Sequence, residues 1–222
     1  VEKKDDVNVV LTENLDKNDN NKEKKVAKND KGLDFNKTKH LAFKFMYIGK
    51  NYEGLIIQSC TKNTIEEKIL NAFLKAKLIK DYDTCGFSRC GRTDKGVSAF
   101  GNVFNLQVRY VEKYDYISII NRMLPNDIRI VGVAEVGEDF NSRFSCIYRE
   151  YKYFFIKRNL DIDLIKDAAK KLEGEHNFYN FCKVDRSKVD ENGNSLINFN
   201  RTIFDISIHK YDSENINLKD KN

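Results

Sequence analysis

Between Cys90 and Val97 the chain reads Cys-Gly-Arg-Thr-Asp-Lys-Gly-Val, one carboxylate set between two cations and bracketed by glycines. Gly91 and Gly96 permit backbone dihedrals that other residues avoid, so Asp94 is expected at the tip of a tight connection, off any apolar stripe. Arg92 and Lys95, if they lie near it, keep that carboxylate ionised and make Asp94 a candidate nucleophile or general base. A polar surface turn has the same composition. The elements around the loop therefore have to decide.

Leu41, Phe43, Phe45 and Tyr47 alternate with Ala42, Lys44, Met46 and Ile48, the period of a strand. Asn51-Tyr52-Glu53-Gly54 then reads as a turn, and Thr64 with Glu67 has capping-box spacing for a helix whose buried stripe is Ile65, Ile69, Ala72, Phe73 and Ala76. The polar residues 81–88 lead into the Asp94 loop, and Phe104, Leu106 and Val108 mark a strand after it. Ile117, Ile120 and Leu124 recur at helical spacing up to Pro125, the only proline, and a third strand is expected over 128–136.

A polar junction at 137–141 separates this set from a second one that starts again with a strand over 147–156. There Arg149, Tyr151, Tyr153 and Phe155 share one face, and Tyr148, Glu150, Lys152 and Phe154 the other. A helix over 161–172, with Leu164, Ile165, Ala168, Ala169 and Leu172 inward and Gly174 as its stop, precedes His176, which reads as structural. Residues 183–198 form a polar excursion turning at Asn192-Gly193-Asn194, and Phe204, Ile206 and Ile208 mark a last strand. The pattern is α+β: a charged, disordered tail over 1–39, an N-terminal half over 40–137 that carries the loop, and a C-terminal half over 138–222, with helices on one face of the sheet.

Composition narrows the function classes. The tail holds ten Lys and nine acids, so the net charge of +5 belongs almost wholly to the remainder, a mild excess compatible with a polyanionic partner. Five scattered cysteines without a C-x-x-C pair read as free thiols in a reducing, intracellular compartment, cytoplasmic or nuclear, and as no zinc site. No apolar run of membrane-spanning length and no basic-then-apolar start is seen.

The stretch 91–101, Gly-Arg-Thr-Asp-Lys-Gly-Val-Ser-Ala-Phe-Gly, resembles the signature of the TruA family of tRNA pseudouridine synthases. The likeness spans about residues 41–208. Tyr47-x-Gly49-x-x-Tyr52-x-Gly54 with Gln58 and Thr64-Ile65-Glu66 is similar to the family's opening, and Asn121-x-x-Leu124-Pro125-x-Asp127-Ile128 to its middle motif. Phe140-x-x-Arg143-Phe144-Ser145 followed by Arg149-x-Tyr151-x-Tyr153 resembles the segment with the active-site tyrosine, here Tyr151. Gly174-x-His176-Asn177-Phe178 and Asn198-Phe199-x-Arg201-Thr202-Ile203, with Ser98-Ala99-Phe100, look like the eukaryotic branch acting on tRNA positions 38 and 39. Asn177 replaces the family's usual acid, and the further C-terminal segment whose arginine pairs with the aspartate is absent from these 222 residues.

The resemblance implies two similar α+β halves sharing a mainly antiparallel sheet, with an RNA cleft opposite the helices, and isomerisation of uridine in the anticodon stem-loop. It makes Asp94 the catalytic nucleophile and Tyr151 a platform for the uracil. Arg92 would contact phosphate or fill the space left by the flipped base. Lys95, Arg143, Arg149 and Lys183 are candidates for phosphate contacts. The implied partner is tRNA, no metal or organic cofactor is called for because the isomerisation is redox neutral, and a homodimer is allowed by analogy with bacterial relatives. Two rival readings differ in class. Gly86-x-x-x-x-Gly91-Arg92-Thr93 is a near miss to a phosphate-binding loop but follows polar residues and precedes a strand, the wrong context; a non-catalytic RNA-binding module fits the charge and aromatics.

Overall fold

The alternating run at the start becomes β1 (Thr38–Tyr47), the second longest strand and the one around which the others pair. The computed structural model describes residues 33–182 and 198–210; the charged stretch 1–32, the excursion 183–197 with Lys183, and residues 211–222 lie outside the described residues. β1 starts inside the expected tail, because Thr38 and Lys39 already pair with Arg109 and Val108. A four-stranded antiparallel sheet follows, ordered β2 (Ser88–Arg89), β3 (Ala99–Arg109), β1, β4 (Ile128–Glu135).

One face of β1 carries Leu41, Phe43, Phe45 and Tyr47, all buried, and two helices cover it: α1 (Ile65–Lys75) and α2 (Tyr116–Met123). Phe43, Phe73 and Phe104 form an aromatic knot with ring centroids 5.1 to 5.9 Å apart, stacked or edge-on, geometries that suit the ring quadrupoles. Thr64 caps α1 by accepting from the Glu67 amide at 3.3 Å, and Asp115 caps α2 in the same way from Ser118. The expected stripe on α1 is buried at Ile65, Ile69, Ala72 and Phe73, with Leu70 added.

The described residues fall into two compact units, divided between Glu150 and Tyr151. The polar stretch 137–141 lies inside the first. His40 donates through Nδ1 to the Gly137 carbonyl at 2.8 Å and accepts the Asn105 amide at Nε2, while the Ser142 amide donates to Asn105 Oδ1. The second unit contains α3 (Ile162–Lys170) and a hairpin of β5 (Gly174–Asn177) with β6 (Asn200–Ile203).

Three expectations for the later part of the chain are corrected. Residues 147–156 form no strand: the alternation is present, but the stretch joins neither sheet, and a strand exists only as part of a ladder. Phe204, Ile206 and Ile208 lie past β6 in irregular chain that joins neither sheet. The apolar stripe of α3 is not buried, and Leu164 stands 67% exposed.

Candidate active site

Residues 91–98 leave β2, turn, and enter β3 without forming a helix, which rules out the phosphate-loop context. The loop rests on the connection 48–55 that follows β1. Leu55 N donates to the Thr93 carbonyl at 3.1 Å, Gly96 N to the Tyr52 carbonyl at 3.3 Å, and the Ser98 hydroxyl accepts from Gly49 N at 3.0 Å. The fit is tight enough to dictate sequence: a Cβ on Gly49 would lie 1.9 Å from the Val97 carbonyl oxygen. Gly54, at φ +109°, occupies a left-handed conformation that favours glycine, and a Cβ added there would lie a tight 3.3 Å from the Thr93 carbonyl oxygen.

Side chains reach the same loop from the core. Tyr47 is buried on the helix-covered face of β1, and its hydroxyl hydrogen bonds Thr93 Oγ1 at 2.7 Å. Tyr52 donates to Asp127 Oδ1 at 2.5 Å, and Ile48 N donates to the Asp127 carbonyl, so the turn after Pro125 holds the connection that holds the loop. Burial, followed by the Asp127 carboxylate, raises the Tyr52 phenol well above its ordinary value, keeping it a donor. Asn121 fastens the turn by bonding both the amide and the carbonyl of Ile130.

The loop's stem has its own anchor. Arg89 on β2 meets Glu66 on α1 at 2.6 Å, with Glu66 only 4% exposed. Burial pushes the Glu66 carboxyl up, Arg89 pulls it down, and burial prevails. Arg149 Nη2 donates to the Cys90 carbonyl at 2.6 Å, across the space a Gly91 side chain would crowd. Burial and the neighbouring Cys146 thiol raise the Cys90 thiol above its ordinary value. Asp94 itself is exposed at the tip, and among the described residues its carboxylate makes no ion pair or side-chain hydrogen bond. A fixed backbone thus presents a free carboxylate, the arrangement a nucleophile or base needs.

A tRNA pseudouridine(38/39) synthase of Bos taurus is 38% identical over 221 residues, covering 86% of this chain and 45% of the relative. The Homo sapiens protein of the same name is 40% identical over 190 residues, 77% of this chain and 38% of the relative, and the Saccharomyces cerevisiae one 41% over 207 residues, 83% and 45%. Archaeal proteins named tRNA pseudouridine synthase A match at lower identity. Its homologues belong to the TruA family. The chain spans less than half the length of these three relatives, and no family model matches it.

Arg92 is exposed two residues from Asp94 and, among the described residues, not paired with it. Lys95 turns away to Glu53 at 2.7 Å, so one of the two cations expected beside Asp94 is spent elsewhere. Arg143 lies over the Phe144 ring at 5.4 Å, and Arg149 serves the loop stem. Tyr151 belongs to the second unit, where its ring is 80% exposed; His176 bonds the Glu173 carbonyl at 2.8 Å, as a structural residue does.

The sequence reading missed the supports: Tyr47 to Thr93, Glu53 to Lys95, and Glu66 to Arg89. One signal was available. Glu66 falls one turn before the buried Leu70, and an acid on the buried side of an amphipathic helix requires a partner. Among the described residues no group of three or more His, Cys, Asp or Glu is placed to hold a metal ion, and no helix is long and apolar enough to cross a membrane.

Proposed function

We propose that this chain carries the catalytic loop of a tRNA pseudouridine synthase acting on uridines 38 and 39 of the anticodon stem-loop, with Asp94 as the nucleophile. The observation that carries the proposal is the unpaired Asp94 carboxylate on a loop immobilised through backbone and Tyr47 contacts. The relatives' names supply the reaction and the substrate. The reaction breaks the bond between ribose C1′ and uracil N1, turns the base, and joins C1′ to C5; a proton leaves C5 and N1 gains one. Atoms and electrons balance without a co-reactant. Asp94 engages ribose C1′ or the uracil ring, or assists departure of the base, from a position outside the stacked helix, so the uridine must be flipped to reach it.

In this proposal Arg92 enters the space the base leaves or holds its phosphate, a task for a planar cation not already paired. Tyr151 takes the uracil-stacking role that family resemblance implies, and the architecture is TruA-like, with two similar α+β halves. Lys95, Arg143, Arg149 and Lys183 remain candidate phosphate contacts, Lys183 from sequence alone.

The test is nucleotide-resolved pseudouridine mapping on an unmodified tRNA transcript, with this chain, its Asp94→Ala variant and a version extended at the C-terminus. Product on the 3′ side of the anticodon stem-loop, abolished by Asp94→Ala, is the expected result. Turnover surviving in Asp94→Ala sinks the nucleophile assignment. If neither wild-type version turns over while both bind RNA, the protein is a binding module.

A further inference from the structure

β1 has a second face, and in its middle stands Lys44. Its neighbours in register are Val103 on β3 and Gly132 on β4, and Ala42 and Met46 flank it along the strand. None of these carries a carboxylate. The lysine stem does not rise straight from the sheet. A Cβ on Gly101 would sit 2.8 Å from Lys44 Cε and 3.6 Å from Nζ, while one on Gly132 would be 3.6 Å from Lys44 Cβ. The side chain is therefore laid across β3 onto Gly101, the third residue of the strand that leaves the Asp94 loop.

Arg92 is the loop's own unpaired cation, whereas Lys95 is engaged by Glu53, Arg89 by Glu66 and Arg149 by the Cys90 carbonyl. Lys44 is exposed and, among the described residues, has no ion-pair or hydrogen-bond partner. Phe100, beside Gly101, is 78% exposed. An ammonium on a neutral floor, with an exposed ring at the neighbouring position of β3, suits one phosphodiester and a stacked base, which is how single-stranded nucleic acid is held.

We propose that Lys44, positioned by Gly101, contacts a backbone phosphate of the RNA strand presented to the Asp94 loop. The inference rests on the reading of Asp94 as part of an RNA-modifying site. It assigns Lys44 to substrate binding and leaves the chemistry to the loop.

Fluorescence anisotropy with an unmodified anticodon stem-loop transcript, repeated across a salt series, tests it. Lys44→Ala should weaken binding severalfold and lower the slope of log affinity against log salt by about 0.7 to 0.9, the share of one phosphate. Lys44→Arg should restore both. Gly101→Ala, whose new methyl meets only the movable end of Lys44, should reproduce part of the loss with the fold unchanged by circular dichroism. In turnover assays Lys44→Ala should raise KM and leave kcat in place. Wild-type binding with affinity and salt slope unchanged in Lys44→Ala overturns this inference and leaves the proposed function standing. A wild-type chain that does not bind the transcript overturns both.

Discussion

Helix α1 in the first unit and helix α3 in the second carry apolar residues at the same helical spacing, and each opens on a side-chain cap, Thr64 for α1 and Asp161 for α3. α1 buries Ile65, Ile69, Leu70, Ala72 and Phe73 against the sheet; α3 buries nothing among the described residues. The aromatic content tells the same story. Phe43, Phe45, Phe73 and Phe104 are closed in the core, whereas Tyr151, Tyr153 and Phe154 of the second unit are open. An amphipathic pattern states which face seeks cover, and a packed partner decides whether cover is found.

The largest difference between the units should appear in stability. Phe104→Ala, which removes a ring contacted by Phe43, Phe45, Phe73 and Phe87, should cost about 3–5 kcal/mol in urea unfolding followed by fluorescence. Leu164→Ala on α3 should stay within about 0.5 kcal/mol. A large loss from Leu164→Ala would show that α3 is covered and break the comparison.

A smaller effect is expected where the loop meets its support. Gly49→Ala must push the Val97 carbonyl aside, an overpacking cost of about 1–3 kcal/mol, and should lower pseudouridine formation more than it lowers stability at assay temperature. Retained turnover in this variant would mean that the loop does not need the connection after β1.

The smallest effect sharpens the contrast between two carboxylates. Burial raises Glu66, so its contribution is present below its unfolded pKa and lost as pH rises through the higher folded value. In the second unit Lys170, then the Ile206 amide, lowers Glu173, whose contribution is present above its unfolded pKa and lost as pH falls through the lower folded value. Carboxyl titration by NMR should find Glu66 above the usual range and Glu173 below it. The reverse order would refute the burial argument.

Much of the first unit was legible because local signals and burial agree there. The β1 alternation, the Thr64 cap and the Pro125 stop all reappear in the structure, and the glycine-flanked Asp94 loop runs into a strand. The same method misread 147–156 and the end of the chain near Ile208, since alternation reports a preference for two faces and says nothing of a neighbouring strand. The supports of the site were hidden for a related reason. Tyr47 and Thr93 are 46 residues apart, Glu66 and Arg89 are 23, and no local period connects them.

Sequence alone determined the chemistry on offer: a carboxylate among glycines and cations, set in motifs that resemble those of the TruA family. Tertiary structure decided which of those charges are available. Packing against the 48–55 connection directs Lys95 to Glu53, sends Arg149 to the loop stem, and leaves Asp94 and Lys44 unpaired, because the pairing of a side chain depends on what the fold brings within about 4 Å of it.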